Sequence, residues 1–486
     1  MNIKEAKEQV ANTVRAYFAR DEYGNFRIPP EEQRPVFLVG PPGIGKTAIM
    51  QQIAEEMNVG FVSYSMTHHT RQSALGLPLI TRREYQGEAY DVTEYTMSEI
   101  IASVYEMTEI TGCQNGILFL DEINCVSETL VPVMLQFLQY KTFGKHAVPR
   151  GWTVVTAGNP PEYNRSVREF DVVTWDRLKR IDVEPDFTVW KEYALKRGIH
   201  PAVLTYLDAK KDCFYKVESD VDGPRFVTAR GWADLSSMIA LSEEIGLPVD
   251  KKLVAQYLQD PEIAEDFAVY YDIFNKYKSD YQIGSILAGE VPEEIRQRAA
   301  DAPFDEKLSL IGLLLDAVGI PMREAVEKED AVSLLLADLR RVKAGESVTA
   351  LLAEEEEKLS REERRGLSRE KRKQYDSVIA FLKSHAEESF DEIKADYDRT
   401  VQNLKASAQS AKASLENLFS FAESAWGSGQ ELLILVTELT VSHYAARFIS
   451  RYGSEAYYRH SEELMFYERN VEIIRQLEQL EENDLS

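Results

Sequence analysis

The sequence predicts an α/β domain on a parallel sheet near its N-terminus, followed by a long all-helical C-terminal region. Three observations predict it. Short apolar runs alternate with helical patterns from residue 36 to about 183. A glycine-rich turn joins the first of these runs directly to a helix. From about residue 186 the apolar residues recur at helical spacing.

Residues 1–34 hold a helical pattern, KEAKEQVANTVRAYFA, and then an extended FRIPPEE. Strands are expected at 36–39, 61–65, 117–120, 153–157 and 180–183, with a helix over 48–57. Short apolar strands separated by helices are the pattern of a parallel sheet buried on both faces. Two insertions interrupt it. Residues 79–95, LITRREYQGEAYDVTEY, place β-like runs around Gln86-Gly87, and residues 140–152 read YKTFGKHAVPRGW. Both read as hairpins carrying exposed aromatic and basic side chains, with Tyr85, Phe143, Lys145 and His146 at their tips as candidate contacts to a protein client.

The remainder reads as helices. Residues 186–281 form a small helical domain with breaks at Gly198, Pro201, Gly223-Pro224 and Gly246, and residues 282–349 are mixed helical pieces. Residues 350–374 alternate in charge, with Glu354/Lys358 and Glu357/Arg361 four apart, as in a solvated helix. A long helix then runs to about 424. Phe390, Ile393 and Tyr397 lead into Val401, Leu404, Ala408, Ala411, Leu415, Leu418 and Ala422 at three-four spacing. An intramolecular bundle and a partner-binding coiled coil both fit this stripe. Further helices are expected over 430–449 and 454–480. The expected division is 1–185, 186–281, 282–349 and 350–486.

The chain of 486 residues exceeds one ordinary core. The start, MNIKEAKEQV, lacks an apolar leader, and ELLILVTELTV is too short to span a bilayer, so a cytoplasmic protein without a membrane span is expected. Cys113, Cys125 and Cys213 form no CxxC pair and read as reduced thiols. His68-His69 has no second ligand pair at zinc spacing. The net charge of −25 disfavours a nucleic-acid partner and favours protein partners.

The chemistry concentrates in two motifs. Gly40, Pro41, Pro42, Gly43, Ile44, Gly45, Lys46 and Thr47, followed by Ala48, fit the phosphate-binding pattern GxxxxGK[ST]. The glycines let successive backbone N–H groups turn toward phosphates, Lys46 adds a fixed charge, and Thr47 offers a hydroxyl to Mg²⁺. The second motif is the run Ile117-Leu118-Phe119-Leu120 ending in Asp121-Glu122. At the carboxyl edge of the sheet, Asp121 can hold Mg²⁺ through water and Glu122 can polarise an attacking water. ATP with Mg²⁺, and hydrolysis of that ATP, are the expectation.

Together GPPGIGKT, FLDEIN, TVVTAGNPPE and WDRLKRIDVEPD resemble, in that order, the AAA+ ATPases and within them the MoxR family, over about residues 30–260. The segment 65–95 sits where that family carries its helix-2 insert. The resemblance implies a P-loop NTPase domain with a helical lid. It assigns Asn159 as sensor 1, Arg177 as the arginine finger with Arg180 close enough to replace it, and Arg230 as sensor 2. It also implies a hexameric ring with ATP between subunits, a chaperone-like remodelling role, and a von Willebrand factor A domain protein as partner. Cys125 after Asn124 and Leu178 after Arg177 depart from the family pattern. A nucleic-acid motor or restriction-type translocase, and a nucleotide-gated scaffold without useful turnover, are the alternatives.

Overall fold

The computed structural model describes residues 1–68, 74–163, 167, 170–220, 223–365, 367, 369–386 and 388–462. The His68-His69 pair lies partly outside these residues, as does the helix expected over 454–480 beyond residue 462. The chain divides into two compact units. One comprises residues 1–189, 228–230 and 357–368; the other comprises 190–227, 231–356 and 369–486.

The first unit opens with α1 (Ile3–Phe18), started by a capping box in which Asn2 and Glu5 satisfy each other's backbone N–H groups. Next come β1 (Val36–Val39), α2 (Lys46–Met57), β2 (Gly60–Ser65), the hairpin β3 (Pro78–Tyr85) and β4 (Glu88–Tyr95), and α3 (Glu99–Thr111). Then follow β5 (Gly116–Asp121), α4 (Val131–Tyr140), the short β6 (Thr142–Phe143) and β7 (His146–Ala147), β8 (Trp152–Gly158), α5 (Val172–Trp175) and β9 (Lys179–Asp182). The sheet runs β2-β5-β8-β1-β9 with every pair parallel. Each expected strand is present.

The apolar runs explain this layer. Every residue of β8 is buried, as is every residue of β5 before Asp121. Continuous rather than alternating burial is what helices on both faces demand. β1 pairs with β8 on one side and with β9 on the other. Strand order therefore reverses beside β1, and its carboxyl end is the crevice where open α/β sheets take ligands.

Both expected hairpins form, with one correction at their tips: Phe143 is buried, its ring stacked on Phe137 at 4.1 Å, and of the four side chains expected there only Tyr85 and Lys145 are exposed. Gln86 (φ 55°) and Gly87 (φ 86°) take the left-handed conformations of a two-residue turn that matches strand twist. The two hairpins are tied together. Glu94 binds Arg83 at 2.5 Å and also Lys145, and the His146 ring nitrogen lies 3.2 Å from the Tyr95 carbonyl.

The second unit is mostly helical, with one correction in the segment expected to be wholly so. After α6 (Phe187–Arg197) and α7 (Pro201–Ala209), the Gly223-Pro224 break belongs to a hairpin, β10 (Lys216–Asp220) and β11 (Gly223–Val227), ahead of α8 (Ala229–Ile245). Then come α9 (Lys251–Tyr257), α10 (Pro261–Asp280), α11 (Ile283–Ala288) and α12 (Glu293–Asp301). The expected pieces beyond residue 303 are instead one 40-residue helix, α13 (Phe304–Lys343), which continues through Gly319 and Pro321. Proline normally breaks a helix. Here Leu310, Leu314 and Val318 before it, and Met322, Val326 and Leu335 after it, are buried, so packing outweighs the lost hydrogen bond.

The charged stretch 350–374 is two helices, α14 (Val348–Arg365) and α15 (Arg369–Ser384), rather than one. α16 (Phe390–Trp426) is the expected long helix. Its stripe Leu404, Ala408, Ala411, Leu415, Leu418 and Ala422 is buried, and the helix packs on α13. The apolar stripe therefore serves an intramolecular bundle.

The helix expected over 430–449 is two, α17 (Gln430–Val441) and α18 (His443–Tyr452), bent by 90°. Ser442 makes the break. Its N–H ends α17 on the Glu438 carbonyl, and its hydroxyl accepts from the Ala445 N–H to start α18. Among the described residues no single helix is long and apolar enough to cross a membrane.

Candidate active site

The site is built where β1 runs into α2. The loop needs glycine at its tightest points: Gly43 and Gly45 have φ of 77° and 96°. A Cβ on Gly43 would stand 3.1 Å from Thr228, and one on Gly40 would stand 2.7 Å from the Val183 carbonyl. Gly45 caps α2 without a side-chain hydrogen bond, so the first N–H groups of that helix, from Lys46, Thr47 and Ala48, stay available at its positive end. Ile44 is buried under the loop, and Pro41 turns its carbonyl inward.

Lys46 occupies the centre and is 8% exposed. Its ammonium donates to the Gly40 carbonyl at 2.7 Å, the Pro41 carbonyl at 2.9 Å and Asn159 Oδ1 at 2.9 Å. All three acceptors are neutral. Burial lowers its pKa from 10.5 to about 8; the Asp121 and Glu122 carboxylates oppose this shift and Arg230 adds to it. A buried ammonium hydrogen-bonded to its own loop carbonyls is what a phosphate chain would be expected to relieve. The residues present fit a nucleotide triphosphate.

Thr47 sits one residue on, and its hydroxyl donates to Asp121 Oδ2 at 2.8 Å. A hydroxyl and a carboxylate this close are the hard oxygen donors that suit Mg²⁺. Glu122 follows in a left-handed conformation, φ 56°, which turns it off the strand axis. Its N–H binds Asp121 Oδ1 at 2.9 Å. Its carboxylate accepts from the Ser65 hydroxyl at 3.0 Å and the Thr67 hydroxyl at 3.2 Å.

Asn159 follows β8. Besides meeting Lys46, it is fixed from behind, because Asn124 Nδ2 donates to its carbonyl at 2.8 Å. Asn124 is buried against Gly158, where a Cβ would fall 2.2 Å from Asn124 Oδ1. Cys125 lies beside it; burial, and then the Glu122 and Asp121 carboxylates, push its thiol up, so it stays protonated and packs rather than reacts.

The arginines divide. Arg180 is engaged within the unit: its Nε lies 2.8 and 3.0 Å from the two Asp182 oxygens, and its guanidinium covers the Trp175 ring at 4.6 Å. Arg177 is exposed, and its N–H continues the turn of α5 to the Thr174 carbonyl. Arg230 is exposed at the start of α8, with its Cβ 3.5 Å from the point where a Gly43 side chain would begin, and its charge reaches Lys46.

The fold thus gathers Lys46, Thr47, Asp121, Glu122 and Asn159 at one sheet edge with Arg230 beside the loop. It leaves Arg177 on the surface. Ser65, Thr67 and Asn124 were not read from the sequence. Polar residues at and just past the end of β2, and the Asn three residues after Asp121, were their available signal.

Residues 35–178 match the family model of the AAA domain (dynein-related subfamily). That is less than half of the chain. The match and the parallel sheet support a nucleotide-binding AAA+ domain and, in general terms, an ATPase. It reaches Arg177 and stops short of Arg180 and Arg230. No curated protein matches the chain.

Proposed function

We propose that this chain is a magnesium-dependent ATPase that assembles into a ring, hexameric by resemblance to MoxR, and spends ATP remodelling a protein partner. The observation that carries the ATPase reading is the convergence of a buried Lys46 ammonium, hydrogen-bonded to neutral acceptors, with the Thr47–Asp121 pair at the end of β1 and β5. Mg²⁺, when bound, offsets charge on the phosphate oxygens. In this reading Thr47 and Asp121 hold it, and Lys46 exchanges its loop carbonyls for phosphate oxygens. Glu122 takes the proton of the attacking water, and Asn159 orients that water. Arg230 adds positive charge beside the loop.

Arg177 is preferred to Arg180 as the finger acting in trans. Arg180 would have to give up both Asp182 and Trp175 to reach a neighbour; the Arg177 guanidinium would give up no hydrogen bond or ion pair found among the described residues. The β3–β4 hairpin offers exposed Leu79, Ile80, Tyr85 and Tyr90 as the surface for a client. A von Willebrand factor A domain protein as co-worker belongs to the same reading. The charge of −25 supports a protein client over nucleic acid.

Steady-state phosphate release tests the proposal. Glu122→Gln should lower kcat by at least a hundredfold while ATP stays bound, and Lys46→Ala should abolish binding. Turnover per chain should rise with protein concentration as rings form, and Arg177→Ala should remove that rise where Arg180→Ala does not. Unchanged turnover in Glu122→Gln removes Glu122 as the base; turnover independent of concentration removes the ring.

A further inference from the structure

A second charged site lies far along the sequence, within the helical unit. A cleft of about 450 Å³ is walled by one face of α18, by Thr440 at the end of α17, and by Lys196 from α6. His443, Arg447, Ser450 and Arg451 supply that helical face. They fall at spacings of three, four, seven and eight residues, so they line up on one side over two turns. No carboxylate lines the cleft. In a chain of net charge −25 such a grouping runs against the average.

Two of the cations are held from behind. Arg447 binds Asp330 Oδ1 at 2.8 Å, and Arg451 binds Glu329. Both carboxylates belong to α13, whose buried stripe fixes them. A guanidinium has five N–H donors in a rigid fork. A carboxylate that takes one edge leaves the others free, and it spares the side chain the entropy of being ordered by a ligand. Lys196 has no hydrogen bond or ion pair among the described residues. The exposed Ser450 hydroxyl adds a neutral donor, whereas that of Thr440 is already spent on the Val436 carbonyl at 2.8 Å. The 90° bend at Ser442 brings the end of α17 beside the first turn of α18, so that Thr440, Val441 and His443 share the cleft.

We infer that this cleft binds a small phosphate-bearing ligand. The cleft is open, so a small, highly charged ligand can sit in it while keeping part of its hydration. Paired forks one helical turn apart suit two phosphate groups or a phosphate and its ester arm. The site is separate from the loop around Lys46 and does not depend on the ATPase reading.

Inorganic pyrophosphate is the probe, titrated calorimetrically into the full chain, since it carries the shared chemistry without a base or lipid. The loop site also takes phosphates, so the measurement is made in the Lys46→Ala background. Binding should persist there, weaken with salt, and fall at least tenfold in Ser450→Glu, which adds a carboxylate at an exposed position without touching the core. Lys196→Ala should weaken it severalfold. Both substitutions should leave the melting temperature unchanged. Vesicles bearing phosphorylated headgroups form a second arm: free pyrophosphate displacing the protein from them assigns a lipid source, and no vesicle binding assigns a soluble one. The inference is overturned if pyrophosphate does not bind the Lys46→Ala chain at millimolar concentration, if Ser450→Glu binds it equally well, or if a glutamate-rich peptide binds the cleft and pyrophosphate does not.

Discussion

Raising the pH from 7 to 9.5 should weaken binding of Mg-ADP roughly thirtyfold, because free and bound protein hold different numbers of protons at Lys46. In the free protein burial lowers this lysine from 10.5 to about 8. A bound phosphate chain supplies the missing counter-charge and returns it to its ordinary range or above. Between pH 8 and 10.5 the free protein has lost the proton while the complex keeps it. Binding then takes up a proton, and affinity falls about tenfold per pH unit. Across the 1.5 units from about 8 to 9.5 this is about 2 kcal/mol.

The stability of the free protein moves the other way. Its folded pKa lies below the unfolded one, so the buried charge is a full cost below pH 8. That cost is relieved as pH rises from 8 toward 10.5. Lys141 contributes with the same sign: it is buried, burial lowers it to about 8, and Gln33 Oε1 at 3.1 Å accepts from its ammonium. It lies away from the nucleotide loop and leaves affinity untouched. Calorimetric titration in two buffers of different ionisation enthalpy measures both affinity and proton uptake. A flat affinity from pH 7 to 9.5, or the same slope in Lys46→Met, would refute the reasoning.

Three further outcomes are expected. Ser65→Ala should lower kcat about tenfold with nucleotide affinity unchanged, since it removes a charge-assisted hydrogen bond from Glu122 and touches no phosphate-facing group; equal loss of affinity would place Ser65 elsewhere in the mechanism. Gly158→Ala should cost about 1–3 kcal/mol of stability and slow turnover, because its methyl group collides with Asn124 and shifts Asn159; denaturant melts and phosphate release measure the two effects. Lys191→Ala should destabilise the helical unit by about 3–5 kcal/mol. Lys191 binds Asp208 at 2.8 Å and also Glu438, whose pKa burial raises, and its removal strands that carboxylate; a melting temperature within a degree of the parent would argue against this.

The sequence by itself determined the sheet and the two halves of the nucleotide site. Local chemistry settles both. Val36–Val39 must be buried on two faces, GPPGIGKT can curl in few ways, and Asp121-Glu122 can end an apolar strand only at its edge. Gln86-Gly87 fixed a hairpin for the same reason: two adjacent residues must adopt positive φ. Contacts between residues distant in sequence decided the rest. Pro321 marks a break that the buried faces on either side of it override, and Ser442 looks helical until its hydroxyl captures the Ala445 N–H. The Ser65 and Thr67 hydroxyls on Glu122, the Asn124 amide behind Asn159, and Arg180 locked on Asp182 all join residues whose pairing no local pattern encodes. Side-chain type limits what a residue can bind. Packing decides which partner comes within 3 Å.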